Sequence, residues 1–200
     1  MIRVLDIGIG NINSVCNMLE FLNLDYEKVT YIELDTKKLI LVGNGNFLSV
    51  IEKLKDTGNF EALKKLVANN TTHILGICVG AQIFGNYSEE GNCQGLGIVN
   101  FDILKLKSTK NLKVPNVGWH SLVTKESPAF EGLMEVRFYF SHSYEMTNFV
   151  DSSVNSYIVI GNQKIVSSFT YNKVWGVQFH PEKSHKFGLS LLHKFSNYEV

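Results

Sequence analysis

Apolar residues first come in short blocks with polar, helix-compatible stretches between them. Residues 2–5 (Ile-Arg-Val-Leu) predict a buried strand. A turn, Gly8-Ile9-Gly10-Asn11-Ile12-Asn13, follows, with Asn13 placed to cap a helix over residues 14–22. Residues 39–42 (Leu-Ile-Leu-Val) predict a second strand and residues 47–54 a helix. Residues 61–68 again carry apolar positions at helical spacing, and residues 73–77 predict a third strand. This β-α-β-α-β-α alternation is the signature of a doubly wound, mostly parallel sheet. From residue 95 to 171 the texture changes. Short runs rich in β-branched and aromatic residues (98–106, 136–140, 157–160, 164–170) predict antiparallel strands added to that sheet, with Gly161-Asn162 as a hairpin turn. A last strand over 174–179 and an amphipathic helix over about 186–198 close the α/β pattern. No repeat or linker interrupts the chain, so residues 1–200 are expected to form one domain.

Composition narrows the choices. Hydrophobic residues make up 44%, enough for a real core, and the 19 basic and 19 acidic residues cancel. Neutral charge gives no electrostatic reason to expect nucleic acid or an anionic membrane as partner. No apolar run approaches a membrane span, and residues 1–6 read as a strand meeting an acid rather than a leader peptide. Cys16, Cys78 and Cys93 are an odd, scattered set. They predict a reducing, cytoplasmic setting without disulfides, and no ligand spacing predicts a metal.

Two stretches carry candidate chemistry. Gly76-Ile77-Cys78-Val79-Gly80 places a cysteine where an apolar strand meets a helix-compatible run. Flanking glycines tolerate the crowding of a sharp turn, and free N–H groups at a helix start favour a thiolate or an oxyanion. Near the other end, Val177-Gln178-Phe179-His180-Pro181-Glu182 closes a strand. Residues two apart on extended chain share a side, so Glu182 is placed to orient His180 while the other ring nitrogen serves a thiol. Gly43-Asn44-Gly45-Asn46, after the second strand, has the freedom to turn N–H groups outward as an oxyanion hole, and equally suits a plain strand–helix turn. The opening Gly-x-Gly turn lacks the third glycine and the distal acid of a dinucleotide site, so no cofactor is expected.

Gly-Ile-Cys-x-Gly-x-Gln together with Gly-Val-Gln-Phe-His-Pro-Glu resembles the class I (triad) glutamine amidotransferase domain, and the likeness spans essentially the whole chain. Finer features are similar to the branch that supplies the glutaminase subunits of imidazole glycerol phosphate synthase. These are the turn from Asp6 to Asn11, Val114-Pro115-Asn116-Val117-Gly118-Trp119, Tyr139-Phe140-Ser141-His142-Ser143-Tyr144 and Pro181-Glu182-Lys183-Ser184. The resemblance implies that Cys78 attacks the carboxamide of L-glutamine, that His180 moves the protons and that Glu182 orients His180. It implies oxyanion contacts from backbone at Gly43 and Gly45 with the N–H of Val79. Gln82 would hold bound glutamine, Glu90 its α-ammonium, and backbone at Ser143 and Tyr144 its α-carboxylate. It further implies a heterodimer in which ammonia passes to a separate (βα)8-barrel cyclase of histidine biosynthesis. Two departures stand out. The family's Pro-Gly-Val-Gly loop reads Val42-Gly43-Asn44-Gly45, and its Gly-Trp-Asn ends in His120. They keep open an ammonia donor to a sugar-amidating enzyme of surface-polysaccharide synthesis, or a catalytically silent scaffold subunit. A self-sufficient γ-glutamyl hydrolase of the same fold is a third alternative.

Overall fold

The computed structural model describes residues 1–125, 129–131, 136–149 and 153–198. In chain order its strands are β1 Ile2–Leu5, β2 Tyr26–Val29, β3 Lys38–Gly43, β4 His73–Cys78, β5 Tyr87–Ser88, β6 Cys93–Gln94, β7 Asp102–Lys105, β8 Asn116–Ser121, β9 Val123–Thr124, β10 Arg137–His142, β11 Tyr144–Thr147, β12 Val154–Ile160, β13 Gln163–Tyr171 and β14 Val174–Val177. The helices are α1 Ile12–Phe21, α2 Phe47–Asp56, α3 Asn59–Asn69, α4 Val79–Gln82 and α5 His185–Asn197, with a 3₁₀ turn at Pro181–Lys183.

Eight strands form the main sheet in the order β2-β1-β3-β4-β14-β13-β12-β9. The first five run parallel, and the last three are added antiparallel. Every residue of β4 and β14 is buried, as are the last five of β3. Continuous apolar runs are what strands covered on both faces require. The chain moves one way from β1 to β2 and the other way from β3 to β4. With right-handed crossovers, α1 and the α2–α3 pair therefore lie on opposite faces. The mostly parallel α/β sheet is the one the sequence predicts.

Several local expectations are corrected. Helix α1 begins at Ile12 after Asn11, and Asn13 does not cap it; the Asn13 side chain accepts a hydrogen bond from Lys28 Nζ at 2.8 Å. β2 is an additional strand. Its polar, half-exposed run reads as loop, and pairing with β1 at the sheet edge makes it a strand. The antiparallel strands do not all join one sheet. β8 and β10 pair separately, and β11-β7-β5-β6 form a third sheet. Left-handed backbone at Gly91, Asn92 and Gly97 turns the chain every few residues there, so these strands stay short. The expected strand over 98–106 is regular only at β7. The hairpin between β12 and β13 does turn at Gly161, whose φ is +59°.

The register brings three strand ends together. Gly43 pairs with Cys78 across β3 and β4, and Val177 pairs with Ile77 across β14 and β4. Residues 43–45, 78–79 and 178–180 therefore meet beyond the carboxyl ends of parallel strands, where open α/β sheets form their sites. No helix among the described residues is long and apolar enough to cross a membrane.

Candidate active site

Cys78 sits at a sharp turn with φ +54° and ψ −115°, a conformation that costs an L-residue on the order of 1–3 kcal/mol. The strain falls on the cysteine itself, and the flanking glycines supply space. A Cβ on Gly76 would lie 2.4 Å from the Gly80 carbonyl oxygen, and one on Gly80 would lie 2.2 Å from that of Leu41. Gly43 is equally confined, since a Cβ there would lie 2.4 Å from the Gly80 nitrogen. Only with hydrogens at these three positions does α4 fold back over the ends of β3 and β4. Because α4 is a single turn, the favourable field at Cys78 comes from the free N–H groups of that turn and not from a long helix dipole.

His180 and Glu182 meet by a different route from the expected one. β14 ends at Val177, and the chain turns into the 3₁₀ segment immediately after His180. The turn, not strand alternation, carries Glu182 Oε1 to 2.7 Å from His180 Nδ1. Proline at the first position of the turn fixes its φ. The His180 N–H donates to the Tyr139 carbonyl at 2.8 Å, and its own carbonyl accepts from Ser184 Oγ at 2.6 Å. Ser184 Oγ in turn accepts the Tyr139 N–H at 3.0 Å, so the His180 backbone is held at both its N–H and its carbonyl. Both side chains are buried, and His180 Nε2 and Glu182 Oε2 have no hydrogen-bond partner. Burial opposes charge on His180, but Cys78 and Glu182 outweigh it and push its pKa up to about 10. Both partners thus favour the charged form of the ring.

A cleft of about 230 Å³ opens in front of Cys78. Of the ten residues singled out from the sequence, Gly45, Cys78, Val79, Gln82, Glu90, Ser143 and Tyr144 line it. His180 and Glu182 stand behind it, and Gly43 packs beneath against Val79 and Gly80. Glu90 Oε2 accepts the N–H of Phe47 at 2.8 Å, which fastens the start of α2 next to the 43–46 loop. Gln82 Nε2 donates to Gln178 Oε1 at 2.9 Å and, at 3.4 Å, to the Tyr144 carbonyl. Gln178 Nε2 points at Cys78 Sγ at 3.7 Å.

Asn44, inside the expected oxyanion loop, also lines the cleft; sequence reasoning passed over Pro115, Ser141 and His142 in its wall, and Gln178 beside the sulfur. Gln178 lies in a quoted motif but reads as an interior strand position. His142 reads as packing because aromatic residues surround it. It is buried, its pKa is pushed down to about 4 chiefly by that burial, and its Nδ1–H donates to the Tyr144 carbonyl at 2.8 Å. Among the described residues, no group of three or more His, Cys, Asp or Glu side chains is arranged to hold a metal ion.

Residues 3–196 match the family model described as glutamine amidotransferase class-I. The chain is 37% identical over 199 residues to "Imidazole glycerol phosphate synthase subunit HisH 2" of Methanococcus maripaludis, covering 98% of both chains. It is also 37% identical over 201 residues to the subunit of the same name from Pseudomonas aeruginosa, again covering 98% of both. Among solved structures, a glutamine amidotransferase superposes with a TM-score of 0.74 at 17% identity, over 98% of this chain and 96% of that one.

Proposed function

The chain belongs to the class-I glutamine amidotransferases, and on that premise we propose that it is the glutaminase subunit of an imidazole glycerol phosphate synthase. It hydrolyses L-glutamine and hands the ammonia to a separate (βα)8-barrel cyclase, with the whole chain acting as one glutaminase domain. The near full-length likeness to relatives bearing that subunit's name supports the pathway. The observation that carries the chemistry is His180. One nitrogen is engaged by Glu182, the other is buried with no hydrogen-bond partner, and the strained Cys78 favours charge on the ring.

The reaction runs through two half-steps. Cys78 Sγ adds to the carboxamide carbon, and the thiol proton resides on His180. The oxygen of the tetrahedral adduct turns toward the N–H of Val79 and backbone of the 43–45 loop. His180 passes its proton to the departing nitrogen, the C–N bond breaks, and ammonia leaves a γ-glutamyl thioester. His180 then takes a proton from water as the water adds to the thioester. The C–S bond breaks, releasing glutamate, and the proton returns to sulfur. Glu182 holds His180 in the orientation both half-steps need. Glu90 receives the α-ammonium, backbone at Ser143 and Tyr144 faces the α-carboxylate, and Gln82 braces the wall between them. No step calls for a cofactor.

A second reading, the same chemistry serving a sugar-amidating synthase, is favoured by the two departures from the family pattern. Asn44 stands in the oxyanion loop, and His120 follows Trp119, an exposed residue whose ring stacks on His185. Glutamate release should be measured with and without a barrel cyclase and its nucleotide ligand, with Cys78→Ala as control. Strong stimulation that the variant abolishes supports the histidine-pathway reading. Silence with that cyclase, but Cys78 labelling by a glutamine analogue, selects the second. Absence of turnover and of labelling rejects glutaminase activity and leaves a silent scaffold. Robust turnover without any partner points instead to a self-sufficient hydrolase.

A further inference from the structure

We propose that His120, Asn116 and His142, which share the inward face of the β8–β10 pair, form a positioning relay that sets the α-carboxylate wall of the glutamine cleft. The inference rests on the glutaminase reading. The relay starts at a carbonyl, which fixes its polarity. The Tyr144 carbonyl can only accept, so His142 must carry its proton on Nδ1, 2.8 Å away. Neutral His142 then has a lone pair on Nε2, which accepts from Asn116 Nδ2 at 3.0 Å. With its amino group so used, Asn116 presents Oδ1 to His120, whose Nε2–H donates at 2.9 Å. Asn116 and His142 are buried, whereas His120 is half-buried, its ring edge-on to the buried Phe140.

Each link dictates the next. Without the His120 donor, Asn116 Oδ1 is left unsatisfied and the amide loses the bond that holds its orientation. A flipped amide turns oxygen toward His142 Nε2, which then favours the other tautomer. That tautomer has no proton for the Tyr144 carbonyl. The same carbonyl accepts from Gln82, which bonds Gln178, which reaches Cys78. A residue outside the cleft is thereby connected to the backbone that receives the substrate. His120 acts on glutamine capture through other groups and touches no reacting atom.

The test uses the full chain and a diazoketone analogue of glutamine that alkylates Cys78, with His120→Leu and His120→Gln compared against the parent. The inhibition constant reads the cleft, and the maximal alkylation rate reads the nucleophile. We expect His120→Leu to raise the inhibition constant about three- to tenfold, the worth of one hydrogen bond, with the maximal rate changed less than twofold. His120→Gln, which restores a donor, returns it to near the parent value. Thermal unfolding of all three chains separates this from a merely structural defect, which would lower the maximal rate or the midpoint without rescue by glutamine. Parent labelling blocked by glutamine, with an unchanged inhibition constant in His120→Leu, overturns the relay and leaves the glutaminase reading standing. An unlabelled parent overturns both.

Discussion

Replacing His142 with glutamine removes a buried imidazole that cannot easily take a proton. In the unfolded chain the ring titrates near the ordinary 6.5. In the folded protein burial above all, reinforced by His180 and His120 and opposed by the Tyr144 carbonyl, holds its pKa down to about 4. The unfolded state therefore binds a proton that the native state refuses between these two values. Stability present above pH 6.5 is lost as the pH falls toward 4, and the full difference is worth about 3 kcal/mol. Glutamine has no such titration. At pH 7.5 the variant pays for two lost or weakened hydrogen bonds, about 1–2 kcal/mol. Toward pH 4 the parent loses more than that, so the two stabilities should cross near pH 5.5, to within about half a unit. Denaturant unfolding of both chains at several pH values between 4 and 7.5 measures the difference. All other titrations are common to both and cancel. A difference between the chains that stays constant across this range refutes the assigned neutral state of His142.

Two further expectations concern the turn and the loop. Because Cys78 occupies left-handed φ, Cys78→Gly should be more stable than Cys78→Ala by about 1 kcal/mol in denaturant unfolding, despite glycine's entropic cost elsewhere. Equal stabilities would mean the turn is relaxed. Glu90→Gln and Glu90→Ala should both weaken glutamine capture. Glu90→Gln keeps an oxygen for the Phe47 N–H, so only Glu90→Ala should also lose about 1 kcal/mol of stability and slow turnover, read by unfolding and steady-state kinetics.

The parallel α/β scaffold was legible because β3, β4 and β14 are apolar runs buried on both faces, and such runs announce themselves without knowledge of their neighbours. The turn at Cys78 was legible for a related reason. Gly76 and Gly80 lie within two residues of it, and the clashes they avoid are with backbone only a few residues away or on the adjacent strand. His180 and Glu182 share one short motif, so their pairing was also visible, although the extended geometry first assigned to it was not what the chain adopts. Strand β2 escaped notice because its side chains are polar and half-exposed, and only the edge of β1 makes it a strand.

Residue types and short spacings were thus enough to single out Cys78, His180 and the layer in which they sit. They left undecided which groups complete the wall. Asn116 lies 26 residues from His142, and Gln82 lies 96 from Gln178. No local periodicity relates such pairs. Their hydrogen bonds exist only once the register of β8 against β10 and of β4 against β14 has brought them within 3 Å. Burial then makes an unpaired donor or acceptor costly, and so selects one tautomer and one amide orientation. Local sterics decide the turn that carries the sulfur. Long-range register, enforced by burial, decides what surrounds it.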